Sequence, residues 1–279
     1  MPEGDSIFQA AAKLDRALAG QRIVRFFSVL PKLKEAELCG REVTRVYARG
    51  KNVVIAFDDG RALHTHLRMQ GHWSVWQKSE LSPERLERML RPPHSLNPVF
   101  TLSLENANVI AVCEQAAVAE LATEREIERR LASLGPDLLA PDFDAEQALA
   151  NLRARPELPI GEAIMLQSML AGVGNVFKSE VLFLEKVSPF ASVGELTDER
   201  LTAIVERARV LLNRNRSGQR RTQFGGLSGM RYYVYERSGQ HCIKCDATIR
   251  MRRQGSELRS TYFCPECQSE ATARAKKVR

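Results

Sequence analysis

The sequence predicts an α+β protein: an N-terminal helix on an antiparallel β-sandwich, then a helical domain that ends in a zinc-ribbon β-hairpin. Three observations carry this. Apolar residues recur at helical spacing over 5–19, seven strand-like segments separated by turn signals fill 21–113, and two Cys-x2-Cys pairs lie near the end of the chain. At 279 residues the chain is long enough for two cores rather than one.

Residues 5–19 place Ile7, Ala11, Leu14 and Leu18 on one helical face, and Gly20 follows as a stop. From Gln21 to Cys113 the segments RIVRFFSV, REVTRVYA, NVVIAF, ALHTHLRM, HWSVW, VFTLSL and NVIAVC read as strands of an antiparallel sandwich or barrel. Asp58-Asp59-Gly60 is a hairpin turn, because glycine takes a positive φ without a Cβ clash. After the charged stretch TEREIERR, GPDLLAPDFD marks a break near 134. Helical pattern resumes over 145–155, 161–170, 175–186 and 197–213, with AGVGN as the turn between the second and third segments. Residues 214–231 are rich in Arg, Gly, Ser and Gln with few apolar anchors, so a mobile loop is expected there. The expected divisions are 1–133, 134–235 and 236–279.

Composition narrows the function classes. Hydrophobic residues make up 44% of the chain, and no apolar run approaches the roughly 18 residues that cross a bilayer, which argues against a membrane span. The start MPEGDSIFQA lacks the basic start and small-residue cleavage site of a secretory signal, so a cytoplasmic, nucleoid-associated location is expected. The net charge of +7 is uneven: residues 206–279 hold 17 Lys and Arg against 6 Asp and Glu. A basic C-terminal third suits a polyanion, since neutralised phosphates release condensed counterions. The terminal cations Arg274, Lys276, Lys277 and Arg279 read better as a solvated tail.

Cys242-x2-Cys245 and Cys264-x2-Cys267, 18 residues apart, have the spacing of a four-thiolate zinc ribbon with two ligands on each knuckle. In a reducing compartment the alternative, two structural disulfides, is poor. One structural Zn2+ with no open coordination position is expected. His241 as a substitute ligand is a lesser alternative. Cys39 and Cys113 read as small buried hydrophobes. Between the cysteine pairs, IRMRRQG and ELRSTYF form a hairpin carrying Arg250, Arg252, Arg253 and Arg259, which a metal would make rigid.

Three separated segments, MPEG at the start, GVGNVFKSE at 172–180, and VYERSGQHCIKC with LRSTYFCPEC at the end, resemble one family. It is the formamidopyrimidine-DNA glycosylase and endonuclease VIII family, and the order fits over essentially the whole chain. The resemblance implies a helix on a β-sandwich, a helix-two-turn-helix module, a zinc-finger hairpin, and double-stranded DNA between them. It further implies a monomeric, bifunctional DNA glycosylase and AP lyase acting on oxidised bases or abasic sites.

The residue readings follow from that resemblance, beside what the residues say alone. Removal of Met1 leaves Pro2 with a free secondary amine, which near pH 7.7 to 8 is partly neutral and nucleophilic. Glu3 would be the acid and base that protonates the sugar ring oxygen. Alone, Pro2 and Glu3 read as an ordinary helix start. Lys51 matches a hairpin lysine implied to contact phosphate, against a solvated turn lysine. Asn175 matches a phosphate-binding asparagine, against a helix N-cap. Glu180 matches a glutamate near the lesion, against a helical salt bridge. Arg259 matches the finger arginine that grips phosphate. His66 and Tyr235 match phosphate-contacting positions, against core or surface roles. Met69 falls where the family inserts a side chain into the gap left by a flipped nucleotide, against core packing beside Leu67.

Two features depart from the pattern. Ser6 stands where the family often has a glutamate, and NANVIAVCEQAAVAEL lacks the Arg and Phe usual in the 8-oxoguanine branch. The second departure, with PEG in place of PEL, favours the endonuclease VIII side and oxidised pyrimidines. The main rival from another class is a non-catalytic zinc-ribbon protein that binds nucleic acid.

Overall fold

A computed structural model of the chain describes residues 2–90, 100–223 and 229–269, with the backbone alone at 87–90. Two compact units result, Met1–Ser133 and Leu134–Arg279. No helix among the described residues is long and apolar enough to cross a membrane.

In the first unit, α1 (Gly4–Leu18) precedes eight strands: β1 (Arg25–Ser28), β2 (Val43–Arg49), β3 (Asn52–Phe57), β4 (Arg61–His66), β5 (His72–Gln77), β6 (Phe100–Glu105), β7 (Val109–Glu114) and β8 (Val118–Thr123). They form two four-stranded antiparallel sheets, ordered β1-β6-β7-β5 and β2-β3-β4-β8. The inward faces of both sheets and one face of α1 share a core, in which Ile7, Leu14 and Leu18 join Val53, Ile55, Leu63, Trp73, Leu102 and Leu104. Each fully buried leucine contributes about 2 kcal/mol by removal of apolar surface from water. Asp15 sets the register of the helix, since its Oδ1 accepts the Val46 N–H at 2.8 Å.

Three elements here have no counterpart among the sequence-based expectations. The strand β8, VAELAT, has Ala119, Glu120 and Ala122 at its centre, residues that sheets disfavour, and it forms by pairing with β4 through Leu63↔Leu121 and His64↔Glu120. The stretch TEREIERR is the helix α3 (Glu124–Leu131), started by a reciprocal cap between Thr123 and Glu126. A further helix, α2 (Pro83–Leu90), follows β5. Cys113 is buried as expected, and burial pushes its thiol pKa up. Cys39 is exposed, which corrects its reading as a buried hydrophobe.

The second unit holds α4 (Ala145–Arg153), α5 (Ile160–Ala163), α6 (Asn175–Leu184), α7 (Asp198–Arg214) and the antiparallel hairpin β9 (Arg250–Gln254) with β10 (Arg259–Phe263). The helix expected over 161–170 is only one turn. Beyond its end Gln167 holds the irregular backbone: its Nε2 donates to the Met165 and Val173 carbonyls at 2.8 and 3.0 Å, and its Oε1 accepts the Gly172 N–H at 3.1 Å. Those bonds turn the backbone away from helix and set up the AGVGN turn. The expected mobile loop over 214–231 is anchored by polar groups at its described flanks. Asn215 is buried and bridges Leu211 to Arg221, and the Thr222 and Gln223 N–H groups donate to the Arg231 carbonyl. Residues 224–228 of that loop, and the basic tail over 270–279, lie outside the described residues.

Candidate active site

In the first unit Pro2 is half-buried just before the first turn of α1, and Glu3 beside it is fully buried. Ser6 fixes this start. Its hydroxyl accepts the Glu3 N–H and donates to the Glu3 carbonyl, each at 3.0 Å. A neutral side chain therefore braces the backbone that carries both residues.

Lys51 occupies the tight turn between β2 and β3, closed by the pair Arg49↔Asn52, and Gly50 supplies the positive φ of 57°. Asn52 locks this turn from below. Its Nδ2 donates to the Arg49 carbonyl at 2.9 Å, and its Oδ1 lies 2.9 Å from Nε2 of the buried His64, whose Nδ1 lies 2.9 Å from Glu120. Pairing of Asn52 with His66 across β3 and β4 puts Lys51 and His66 at the same end of the sheet. His66 is half-buried, and its Nδ1 accepts the Arg68 N–H at 3.2 Å, so the neutral ring carries its proton on Nε2. Burial, then the nearby Lys51 charge, hold its pKa below the usual histidine value.

The chain leaves β4 after His66, and Arg68 takes a φ of 49°, which breaks the two-residue alternation. Leu67 is consequently buried while Met69 is 50% exposed. The loop is tight: Gly71 N–H donates to the Leu67 carbonyl at 3.0 Å, and a Cβ on Gly71 would lie 2.7 Å from that oxygen. Met69 is therefore an apolar side chain held out at a loop tip, and it does not pack in the core.

In the second unit Gly174, rather than Asn175, caps α6. Asn175 is the first helical residue, buried, and its Nδ2 donates to the Ser260 carbonyl of β10 at 2.7 Å. Lys178, one turn on and fully buried, donates from Nζ to Thr261 Oγ1 at 2.7 Å and to the Ser260 carbonyl at 3.4 Å. The Tyr262 N–H donates to Ser179 Oγ at 3.4 Å. Successive residues of α6 thus stitch β10 to the helix. The partner strand is held as well: Gln254 Nε2 donates to the Pro189 carbonyl at 2.8 Å, in a space that a Cβ on Gly161 would fill.

Glu180 does not face solvent. Its Oε1 accepts the Val234 and Tyr235 N–H groups at 2.7 and 2.8 Å, and its Oε2 accepts the Tyr233 N–H at 2.8 Å and the Thr222 hydroxyl. Burial raises its pKa against these four bonds, which favour the ionised form. The carboxylate anchors the loop flanks instead of offering a free oxygen to a ligand. Tyr235 is half-buried, edge-on to Tyr262 and Tyr232 at 5.2 and 5.6 Å between ring centres. Arg259 is partly exposed and paired with Glu257.

The four cysteines Cys242, Cys245, Cys264 and Cys267 have their sulfurs within 4.8 Å of one another, and none forms a disulfide. The separations Cys242–Cys267 of 3.9 Å and Cys245–Cys264 of 3.4 Å bracket the roughly 3.8 Å edge of a tetrahedron with metal–sulfur bonds of about 2.3 Å. The Lys244 and Cys267 N–H groups point at sulfurs at 3.5 Å, as knuckle amides do toward thiolates. His241 is exposed and bonded to the Asp246 carbonyl, and is not in the cluster. The set fits a four-coordinate metal with no vacancy. The sequence marks Ser6 only as a departure from the family pattern, not as a brace, and gives no role to Asn52, His64, Lys178 or Thr222. A serine three residues after Glu3 was the one available signal, and the others act through long-range contacts.

Comparison with known proteins agrees with this architecture. Residues 1–124 match the formamidopyrimidine-DNA glycosylase N-terminal domain, and residues 134–223 match the formamidopyrimidine-DNA glycosylase H2TH domain. A probable endonuclease 8 2 of Streptomyces coelicolor is 39% identical, covering 96% of this chain and 94% of that protein. The DNA-(apurinic or apyrimidinic site) lyase Nei2 of Mycolicibacterium smegmatis is 35% identical, covering 96% and 99%. The crystal structure of Lactococcus lactis formamidopyrimidine-DNA glycosylase, non-covalently bound to DNA with an abasic site, has the same fold. Its TM-score is 0.77 at 23% identity, over 96% of this chain and all of that one. The chain therefore belongs to the formamidopyrimidine-DNA glycosylase and endonuclease 8 family of DNA glycosylases and AP lyases.

Proposed function

We propose that this chain is a bifunctional DNA glycosylase and AP lyase of base excision repair that removes oxidised pyrimidines through a Schiff base at Pro2. The observation that carries the reading is the start of α1, where a half-exposed proline at residue 2 adjoins a fully buried glutamate on a backbone held by Ser6. With Met1 removed, the Pro2 nitrogen bonds to the sugar C1′, and the glycosidic bond breaks with its electrons leaving on the base, which takes up a proton. Glu3 protonates the ring oxygen as the sugar opens to an iminium ion. That cation makes the C2′ proton acidic. Its loss expels the 3′ phosphate, and a second elimination expels the 5′ phosphate.

Lys51, His66, Asn175, Tyr235 and Arg259 serve as phosphate contacts, with neutral His66 donating from Nε2, and Met69 fills the gap left by the flipped nucleotide. Glu180 acts through the segments it anchors. One structural Zn2+ on the four cysteines rigidifies the arginine hairpin and takes no part in the chemistry. The pyrimidine preference is supported by the likeness to proteins named endonuclease 8 and by the absence of Arg and Phe from NANVIAVCEQAAVAEL. The partner is double-stranded DNA, and the enzyme acts as a cytoplasmic, nucleoid-associated monomer. Borohydride reduction with abasic-site DNA tests the reading: a covalent adduct through residue 2 is expected, and no adduct would refute it.

A further inference from the structure

We propose that Leu258, at the tip of the β9–β10 hairpin, is an apolar DNA contact that packs on the sugar faces beside the phosphates held by Arg259. The inference rests on the proposed function, since it deepens the same DNA-binding surface. Leu258 is 63% exposed, more than any other large apolar side chain among the described residues. It also has a φ of 49°, in the left-handed region that disfavours residues with a Cβ. The turn explains the backbone but not the residue. Residues 255–258 join Gln254 to Arg259, and the Leu258 N–H closes the turn on the Gly255 carbonyl at 3.0 Å. Loops of this length end on a left-handed residue, where Gly or Asn is the unstrained choice. Leucine here is unfavourable twice, by backbone strain and by apolar exposure, and it makes no compensating core contact. Such a residue points to a ligand.

The surroundings identify that ligand as DNA. The same hairpin carries Arg250, Arg252, Arg253 and Arg259, and Arg259 is the next residue in the chain. The tip is also held in shape before any partner arrives. Arg253 Nη1 donates to the Leu258 carbonyl and to Ser260 Oγ, each at 3.1 Å, and Gly255 lies against the Glu162 side chain of α5. A rigid cationic hairpin with one apolar knob suits a polyanion whose backbone alternates phosphates with apolar sugar faces.

The test uses Leu258→Gly, Leu258→Asn and Leu258→Met in the full zinc-loaded chain, with binding to a duplex containing an abasic-site analogue measured across salt concentrations. The Gly and Asn variants should melt at or above the wild-type temperature, because both accept positive φ. They should nonetheless bind DNA about five- to tenfold more weakly, as expected when roughly half a leucine is no longer buried. The salt dependence should keep its wild-type slope, because no phosphate contact is lost, whereas Arg259→Ala should make it shallower. Leu258→Met, which keeps the apolar bulk, should bind as wild type. Unchanged affinity in the Gly and Asn variants, or a loss that comes with a shallower slope, would overturn this inference. A wild-type chain that neither binds the duplex nor gives a borohydride adduct would overturn the proposed function with it.

Discussion

The side-chain amide of Asn175 donates to the backbone carbonyl of Ser260 at 2.7 Å, so the first residue of α6 is joined to the residue that follows Arg259. Two side chains proposed to hold phosphates thus share one peptide-length of β10. Thr261→Val removes the hydroxyl that Lys178 bonds at 2.7 Å and leaves a buried ammonium short of a partner. A loss of about 1–3 kcal/mol in stability is expected. DNA affinity should fall together with that loss, because Arg259 would then be tied to α6 by fewer bonds, chiefly the Asn175 bond to the Ser260 carbonyl. Urea unfolding and duplex binding on the same variant check both parts.

Glu180→Gln should destabilise far more than its near-identical shape suggests. The carboxylate accepts four bonds, two on each oxygen, whereas an amide presents N–H groups where two donors already point. A cost of about 2–4 kcal/mol is expected for a fully buried group with charge-assisted bonds. The flanks at 222–223 and 231–235 should then show faster amide hydrogen exchange, while the β-sandwich is unaffected. Wild-type exchange at Tyr233, Val234 and Tyr235 would refute the anchor.

Metal removal should act locally. Chelation, or Cys264→Ser, should release the segment from Cys242 to Cys267 and abolish tight DNA binding, since so short an element rarely folds without its metal. The Met1–Ser133 unit has its own core and should keep its melting transition. Cobalt substitution should give the spectrum of a tetrahedral four-thiolate site. A metal-bound water, or full DNA binding by Cys264→Ser, would contradict a closed structural site.

His66 supplies a pH signature. Burial and the Lys51 charge depress its pKa, so in the acid range the unfolded chain binds more protons at this residue than the folded one. Its contribution to stability is present above the unfolded value near 6.5 and is lost as pH falls below that toward the folded pKa. His66→Gln should flatten the pH dependence of stability in that window. Lys51→Ala should raise the His66 pKa, because it removes the second-largest cause of the shift while leaving burial in place. Titration of the ring by NMR reads this directly.

Patterns of short range made much of this protein legible in its sequence. The buried face of α1, the strands β1 to β7 and the four cysteines followed from periods and spacings that the fold respects. The signal for α3 was present in Thr123-x-x-Glu126 and was masked by the charge of TEREIERR. The strand β8 was not readable, because Ala119, Glu120 and Ala122 dilute its strand signal and pairing with β4 is what makes it a strand. Glu180 lay beyond local reasoning for a similar cause: its partners are 42 to 55 residues away, and nothing near it in sequence marks it as a loop anchor. Met69 became readable only with the positive φ of Arg68, which separates it from Leu67.

The nucleophile and the phosphate grip should fail in different ways. Pro2→Gly keeps a free amine but makes it primary, so reduced activity with residual borohydride trapping is expected. A chain that retains Met1 has no amine at residue 2, and it should lose both chemistry and trapping while binding abasic DNA normally. Arg259→Ala should reverse that pattern, with weakened binding and a chemical step intact at saturating enzyme. A charge-assisted contact to phosphate is worth about 1.5–3 kcal/mol, or roughly ten- to hundredfold in affinity. Arg259 is paired with Glu257, which DNA must displace, so Glu257→Gln should tighten binding slightly, by at most about fivefold for so exposed a pair. Single-turnover cleavage with separate measurement of Kd resolves the two classes. If the Met1-retaining chain cleaves abasic DNA at the normal rate, residue 2 is not the nucleophile, and the amine of Lys51 becomes the group to test.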